Sequence, residues 1–352
     1  MQIGRSRSVC FSYQDKSIME VANSDMKKFW KGLKDWFTGD WFRQCPSVGG
    51  QAVMEGVMMQ GKKCIAISVR KKDGEIVTRK KPIKRISEKH RWLGYPLIRG
   101  VVNFVVMLYT GVGIISESAE MLGEETEEPS KFEKKLAEWL HMKPDDVMMI
   151  MAVVLAVVLA VVLFFMVPIA LESLIKMVLP ENELLINFVG GLIRIGMFLL
   201  YIVSVSRLKE IKRVFQYHGA EHKAVFCNES GLPLTVENAQ KFSTLHPRCG
   251  TSFLVIIFVL SIIIFTLLGT DSSNVFMRLG SRLALLPLVA GISYDILQVL
   301  ARMPRNWLVK ALMWPGLMMQ KLTTAEPDDS MVEVAIRSLK VAQGIEDVET
   351  DD

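Results

Sequence analysis

Charge, histidine and paired cysteine are all scarce in this 352-residue chain. Only 22% of its residues are charged against 50% hydrophobic, and the mean hydropathy is +0.29. A soluble chain buries apolar side chains in cores, but it does not string them into uncharged runs of about twenty. Residues 147–167 form such a run, 21 positions without a charge. Soluble globular and disordered readings are therefore both excluded. The five cysteines (Cys10, Cys45, Cys64, Cys227, Cys249) are odd in number and scattered, which excludes a disulfide framework and suits a reducing compartment. No signal peptide is expected in the first forty residues, where Lys27, Lys28, Lys31 and Lys34 break every apolar stretch. Convincing internal repeats are lacking as well.

The apolar runs predict a mainly α-helical polytopic membrane protein. Residues 147–167 are the first span, with Pro168 expected to kink a helix that runs on towards Leu179. The others are residues 184–206, interrupted by Arg194, the uncharged 251–269, and 283–300 with Asp295 inside. Residues 96–116 are ambiguous. Arg99, Asn103 and four nearby glycines point to an interfacial or re-entrant helix. Arg194 and Asp295, on different spans, are candidates for a mutual ion pair, since intramembrane charges are costly unless paired or facing a cavity.

Orientation follows from Lys/Arg placement. Residues 1–93 carry 20 Lys/Arg against 9 Asp/Glu, a net of +11, while residues 321–352 carry 3 against 9, a net of −6. The connection 180–183 has no Lys or Arg, whereas Arg207, Lys209, Lys212 and Arg213 follow the second span. Four spans then place both termini and the middle loop in the cytoplasm, with the basic third lying against anionic membrane lipids. Nucleic acid is not an expected partner, because aromatics do not interleave the basic run from Arg70 to Arg91. Homo-oligomerisation is compatible with all of this.

The chain divides into a variable leader (1–45, with a short aromatic-basic helix around 27–42) and a small cytosolic β unit (46–93). An interfacial or re-entrant helix with an acidic connector follows (94–146, including the acidic stretch 124–128). A first transmembrane hairpin (147–206), a cytoplasmic metal loop (207–250), a second hairpin (251–300) and a cytoplasmic acidic tail (301–352) complete it. Within the β unit, 52–59 and 63–69 read as strands, and Asp73-Gly74 as a hairpin turn into 76–79.

Three of the five histidines fall in the metal loop. His218-Gly219-Ala220-Glu221-His222 is an H-x-x-E-H pattern. On a helix the two histidines are i and i+4, so both rings project from one face and can share a metal. Glu221, one position away, can take a proton from metal-bound water. His246-Pro247-Arg248-Cys249 follows in a turn before the third span, and two or three of His218, His222, His246 and Cys249 suit tetrahedral Zn²⁺. Arg248 is the candidate to offset developing negative charge. Glu55, alone among apolar residues and glycines, is a lesser candidate for a ligand or catalytic acid. The competing reading is a hydrogen-bonded polar cluster at the membrane boundary, and Cys227 reads as a small buried apolar residue.

The blocks GGQAVMEGVMMQG (49–61), YHGAEHKAV (217–225), HPRCGTSF (246–253) and TTAEPDDSMVEVAI (323–336) resemble the YqhQ-like family over residues 46–340. That resemblance implies a bacterial inner-membrane protein and a predicted metal-dependent enzyme, and it does not reach the leader. Two functions from different classes follow. One is a zinc hydrolase at the cytoplasmic membrane face, acting on a peptide or lipid-linked substrate. The other is a non-catalytic scaffold or assembly factor with a closed structural zinc. A transporter, suggested by Arg194, Asp295 and Gly190-Gly191, ranks third, because four spans without a repeat are few for one.

Overall fold

The computed structural model describes residues 48–83, 98–123, 130–176, 183–268, 274–300, 303 and 307–348. The expected leader helix and the acidic stretch 124–128 lie outside these residues, as does most of the connection 180–183.

Four antiparallel strands come first: β1 (Gly49–Val53), β2 (Gly56–Gln60), β3 (Cys64–Arg70) and β4 (Ile76–Pro82), paired in sequence order. The stretch 52–59 is thus not one strand. The chain reverses at Met54-Glu55, so that Val53 pairs with Gly56, and Glu55 takes a positive φ of 50°. The apolar residues on both sides of Glu55-Gly56 concealed this turn, because its left-handed position is filled by Glu rather than by the usual Gly, Asn or Asp.

The helices are α1 (Ile98–Met121), α2 (Lys131–Leu140), α3 (Pro144–Val161), α4 (Val167–Lys176), α5 (Glu183–Val205), α6 (Lys209–Glu229), α7 (Val236–Gln240), α8 (Thr251–Leu268), α9 (Val275–Leu300), α10 (Trp307–Thr323) and α11 (Asp329–Gln343). Between α3 and α4 the backbone widens into a π-helical turn over Val162–Met166. Pro168 cannot donate to the helix, and the wider turn takes up the misfit, joining the two helices into one membrane-length rod.

By length and composition α1, α3–α4, α5 and α9 can each cross a bilayer. The 18 residues of α8 reach about 27 Å, close to a bilayer's hydrocarbon thickness. Packing decides among these five. The sheet packs on α6, so the chain leaves β4 and arrives at α6 on the same side of the membrane. An even number of crossings must separate them, and three apolar helices lie between. The odd one out is α1. Its Gly111 faces Gln51 of β1, and Ile114 and Met121 pack with Val53, Ile67 and Val69 of the sheet. Its Glu117 also pairs with Lys81 at 2.7 Å. α1 is therefore the interfacial or re-entrant helix, its first turn packed against α9 at Gly291 and Asp295, and α3–α4, α5, α8 and α9 are the four crossings.

Two sequence readings change. Arg194 and Asp295 do not pair with each other: Asp295 binds Arg99 of α1 at 2.6 Å, and Arg194 binds Glu172 of α4. Residues 301–352, read as an acidic tail, supply α10 and α11. Met331, Val332, Val334, Ala335, Leu339 and Val341 of α11 are buried with Val57, Met59 and Ala66 of the sheet and with Tyr217, Ala220 and Ala224 of α6. That cluster is the core of the extramembrane domain, and it sits beside the histidines.

Candidate metal centre

Helix α6 is buried on nearly every side between Tyr217 and Cys227, because sheet, α7 and α11 all pack against it. His218 and His222 lie one turn apart with ring centroids 4.4 Å from each other. Each ring is fixed through Nδ1. His218 Nδ1 donates to the Thr323 carbonyl at 2.8 Å, at the end of α10, and His222 Nδ1 donates to the Thr244 carbonyl. A backbone carbonyl can only accept, so the proton sits on Nδ1 and the Nε2 lone pair of each ring points into the site. Carbonyl-anchored imidazoles of this kind are the usual support for metal ligands.

Cys249 completes the convergence. Its Sγ lies 3.1 Å from His218 Nε2 and is oriented by Thr251, whose N–H and hydroxyl approach it at 3.4 and 3.1 Å. The donor atoms of His218, His222 and Cys249 all lie within 4.8 Å of one another. His222 is 1% exposed, and its Nε2 has no hydrogen-bond partner among the described residues. An orphaned buried nitrogen is costly unless something binds it. Glu221 is also present: its Oε2 stands 3.9 Å from His218 Nε2 and 3.8 Å from His222 Nε2. Strand β1 lies over this carboxylate so closely that a Cβ on Gly50 would come within 2.6 Å of Glu221 Cγ.

The other candidates stand outside that convergence, His246 nearest, with its ring centroid 5.6 Å from that of His222. His246 spends both nitrogens, Nδ1 accepting from the Arg248 N–H at 3.2 Å and Nε2 meeting Glu229 at 3.4 Å. Arg248 forms an ion pair with the same Glu229. Burial alone would raise the Glu229 carboxyl, but hydrogen bonds and charge from His246 and Arg248 outweigh it and hold Glu229 below the ordinary range. Glu55 receives a two-pronged ion pair from Arg213 and lies 3.4 Å from the Tyr217 hydroxyl. The hydrogen bond from Arg213 to Glu55 raises the Arg213 pKa, and burial raises that of Tyr217. Glu55 thus ties the sheet to α6.

Sequence reasoning missed the supports. The carbonyls of Thr244 and Thr323 have no side-chain signature. Gln320 had one, being a polar residue in an apolar helix. Fully buried, it receives the His246 N–H and donates to the His246 carbonyl, both at 2.8 Å, and so clamps the Cys249 loop to α10.

The family model described as "Protein of unknown function (DUF1385)" matches residues 95–344. The chain is also 36% identical over 297 residues to the Bacillus subtilis (strain 168) protein named "Uncharacterized protein YqhQ", covering 83% of this chain and 91% of that one. No solved structure matches.

Proposed function

Because the chain belongs to the DUF1385 family, whose description assigns no activity, we propose a function from the site itself: a membrane-embedded, metal-dependent enzyme of the hydrolase class. The observation that carries it is the unpartnered Nε2 of His222, converging with His218 Nε2 and Cys249 Sγ. Two imidazoles and one thiol, buried and carbonyl-anchored, are the donor chemistry of Zn²⁺. Zn²⁺ held by His218, His222 and Cys249 would supply a Lewis acid able to activate water or polarise a substrate.

Glu221 is the proton acceptor in this reading, with Oε2 beside the donors and β1 covering it from solvent. Arg248, held by Glu229, and His246 are given no part in the chemistry. Cys249 stands two residues before α8, which places the site where the extramembrane domain meets the bilayer. A peptide or lipid-linked substrate held at that boundary fits this position. Lys209, Lys212 and Arg213 on α6 support a cytoplasmic position for this face under the positive-inside rule.

A second reading has its own support. Glu221 Oε2 is close enough to both imidazoles to serve as a fourth ligand, and a closed shell makes the zinc structural. Glu221→Gln separates the two. In the enzyme, the variant keeps its zinc by elemental analysis and fails to complement a deletion strain, since loss of a general base costs about 10²–10⁴ in rate. In the closed site, it loses zinc. A zinc-loaded Glu221→Gln protein that complements fully ends the hydrolase reading.

A further inference from the structure

A second buried charge cluster lies at the other end of the helix bundle. Phe265, which marks its position, is 14 residues along α8 from Thr251, or about 21 Å from the metal end. Here α4 contributes Glu172 and Ser173, α5 Arg194, and α9 Arg278 and Arg282, which stand i and i+4 on one helix face.

Glu172 is shared. It pairs through Oε1 with Arg194 and through Oε2 with Arg282 at 2.8 Å. Arg278 donates instead to the Ser173 hydroxyl at 2.8 Å. Both Arg194 and Arg282 stand 5.8 Å from the Phe265 ring centroid. Arg282 is 1% exposed, and Arg194 and Arg278 are each 6% exposed. Among the described residues, then, one carboxylate answers three guanidinium groups, a surplus of two positive charges.

Arginine does not shed its proton, so this surplus cannot be relieved by titration. The donors are also underused. Nε of all three arginines and Nη1 of Arg282 have no acceptor among the described residues. Charges at this depth are retained where they meet a counter-charge or a functional ligand. We propose that Arg194, Arg278 and Arg282 form an intramembrane binding site for a phosphate group. A tetrahedral oxyanion offers acceptors in several directions at once, which suits three guanidinium forks arriving from two helices. The phosphate belongs either to a phospholipid headgroup entering from the leaflet or to a free anion.

The test uses the full chain, purified and delipidated in detergent, and follows thermal unfolding and native mass spectra. Dioctanoyl phosphatidylglycerol and inorganic phosphate are titrated separately, with chloride at matched ionic strength as control. A phosphate-bearing probe should stabilise the protein saturably. Saturation by the lipid alone identifies a headgroup, and equal saturation by inorganic phosphate identifies a free anion. Arg278→Gln leaves both Glu172 pairs in place and should weaken binding about tenfold, the scale of one charge-assisted hydrogen bond. Glu172→Gln removes the competing carboxylate and should strengthen it. The proposal is overturned if neither probe saturates, if chloride matches them, or if Arg278→Gln binds like the wild type.

Discussion

Gly219 lies between the two histidines of the proposed metal site, and its replacement by alanine tests the carbonyl clamp directly. A Cβ at this position would fall far inside 3.0 Å of the Ala325 carbonyl oxygen and 3.1 Å from Thr244 Cγ2. The first neighbour is backbone, and the second is a methyl on a short, β-branched side chain that can give little. Ala325 is docked on α6 by its own N–H to the Phe215 carbonyl at 2.9 Å, and Thr244 carries the carbonyl that holds His222. Relief of the overlap needs a separation on the order of 1 Å between α6 and the segment 323–325. The His218 Nδ1 to Thr323 bond then stretches from 2.8 Å to about 3.8 Å, outside hydrogen-bond range. Overpacking costs about 1–3 kcal/mol, and the better helix propensity of alanine returns about 1 kcal/mol of it. The effect on the metal is larger in proportion: losing such a support weakens affinity about 10–100-fold. Chelator competition on the detergent-purified protein measures the zinc affinity, and thermal unfolding measures the stability. Gly196→Ala, a helical glycine whose added Cβ meets nothing within 4 Å, serves as control and should leave zinc affinity unchanged. If Gly219→Ala binds zinc and unfolds like the wild type, the carbonyl clamp does not set the ring geometry.

Glu55→Gln should leave zinc content at the wild-type level and lower stability by no more than about 1 kcal/mol, because its ion pair with Arg213 is partly exposed. Metal loss in this variant would return Glu55 to the site. Asp328 caps α11, accepting from the Met331 N–H at 2.9 Å. Burial would raise its carboxyl, but hydrogen bonds from Ser330 and Met331 and the charge of Arg213 bring it net below its ordinary value. A depressed carboxylate stabilises the fold above its unfolded pKa and loses that effect as pH falls through the folded value. Asp328→Ala should therefore cost about 1 kcal/mol at pH 7, with the gap to wild type closing below about pH 3.9 in unfolding experiments. For orientation, an impermeant maleimide applied to intact cells should label Asn274→Cys and spare Ser230→Cys. The described native cysteines Cys64, Cys227 and Cys249 are buried and give little background. Labelling of Ser230→Cys from outside would reverse the assignment.

The spans were legible because hydrocarbon selects long uncharged runs, and the H-x-x-E-H spacing already placed two imidazoles on one helix face. Charge pairing was not legible. Arg194 and Asp295 looked like partners because their other candidates, Glu172 and Arg99, lie in segments read as a helix end and an ambiguous helix; only the packing of α4 on α5, and of α1 on α9, assigns them. The choice between His246 and Cys249 was equally hidden. Both stand in one turn, and it is the Glu229 carboxylate at the end of α6 that draws His246 away. Helix α11 had the apolar periodicity of a core helix in Met331, Val332, Ala335, Leu339 and Ala342, but the net negative charge of the last 32 residues masked it.

The joining of the first strands to the last helix imposes an order on biogenesis. Arg70 reaches Glu333 across 263 residues, and the Ser338 hydroxyl donates to the Ala66 carbonyl across 272. At roughly 5–20 residues per second, the ribosome needs on the order of 15–50 s to make that interval. Throughout it the sheet must keep the apolar face that meets Met331 and Leu339 out of trouble while four helices enter the bilayer. The sheet therefore waits for its lid. A chaperone, the membrane surface or a transient partner has to cover that face in the meantime, and a ribosome stalled before Asp328 would leave an inserted protein with its extramembrane domain open.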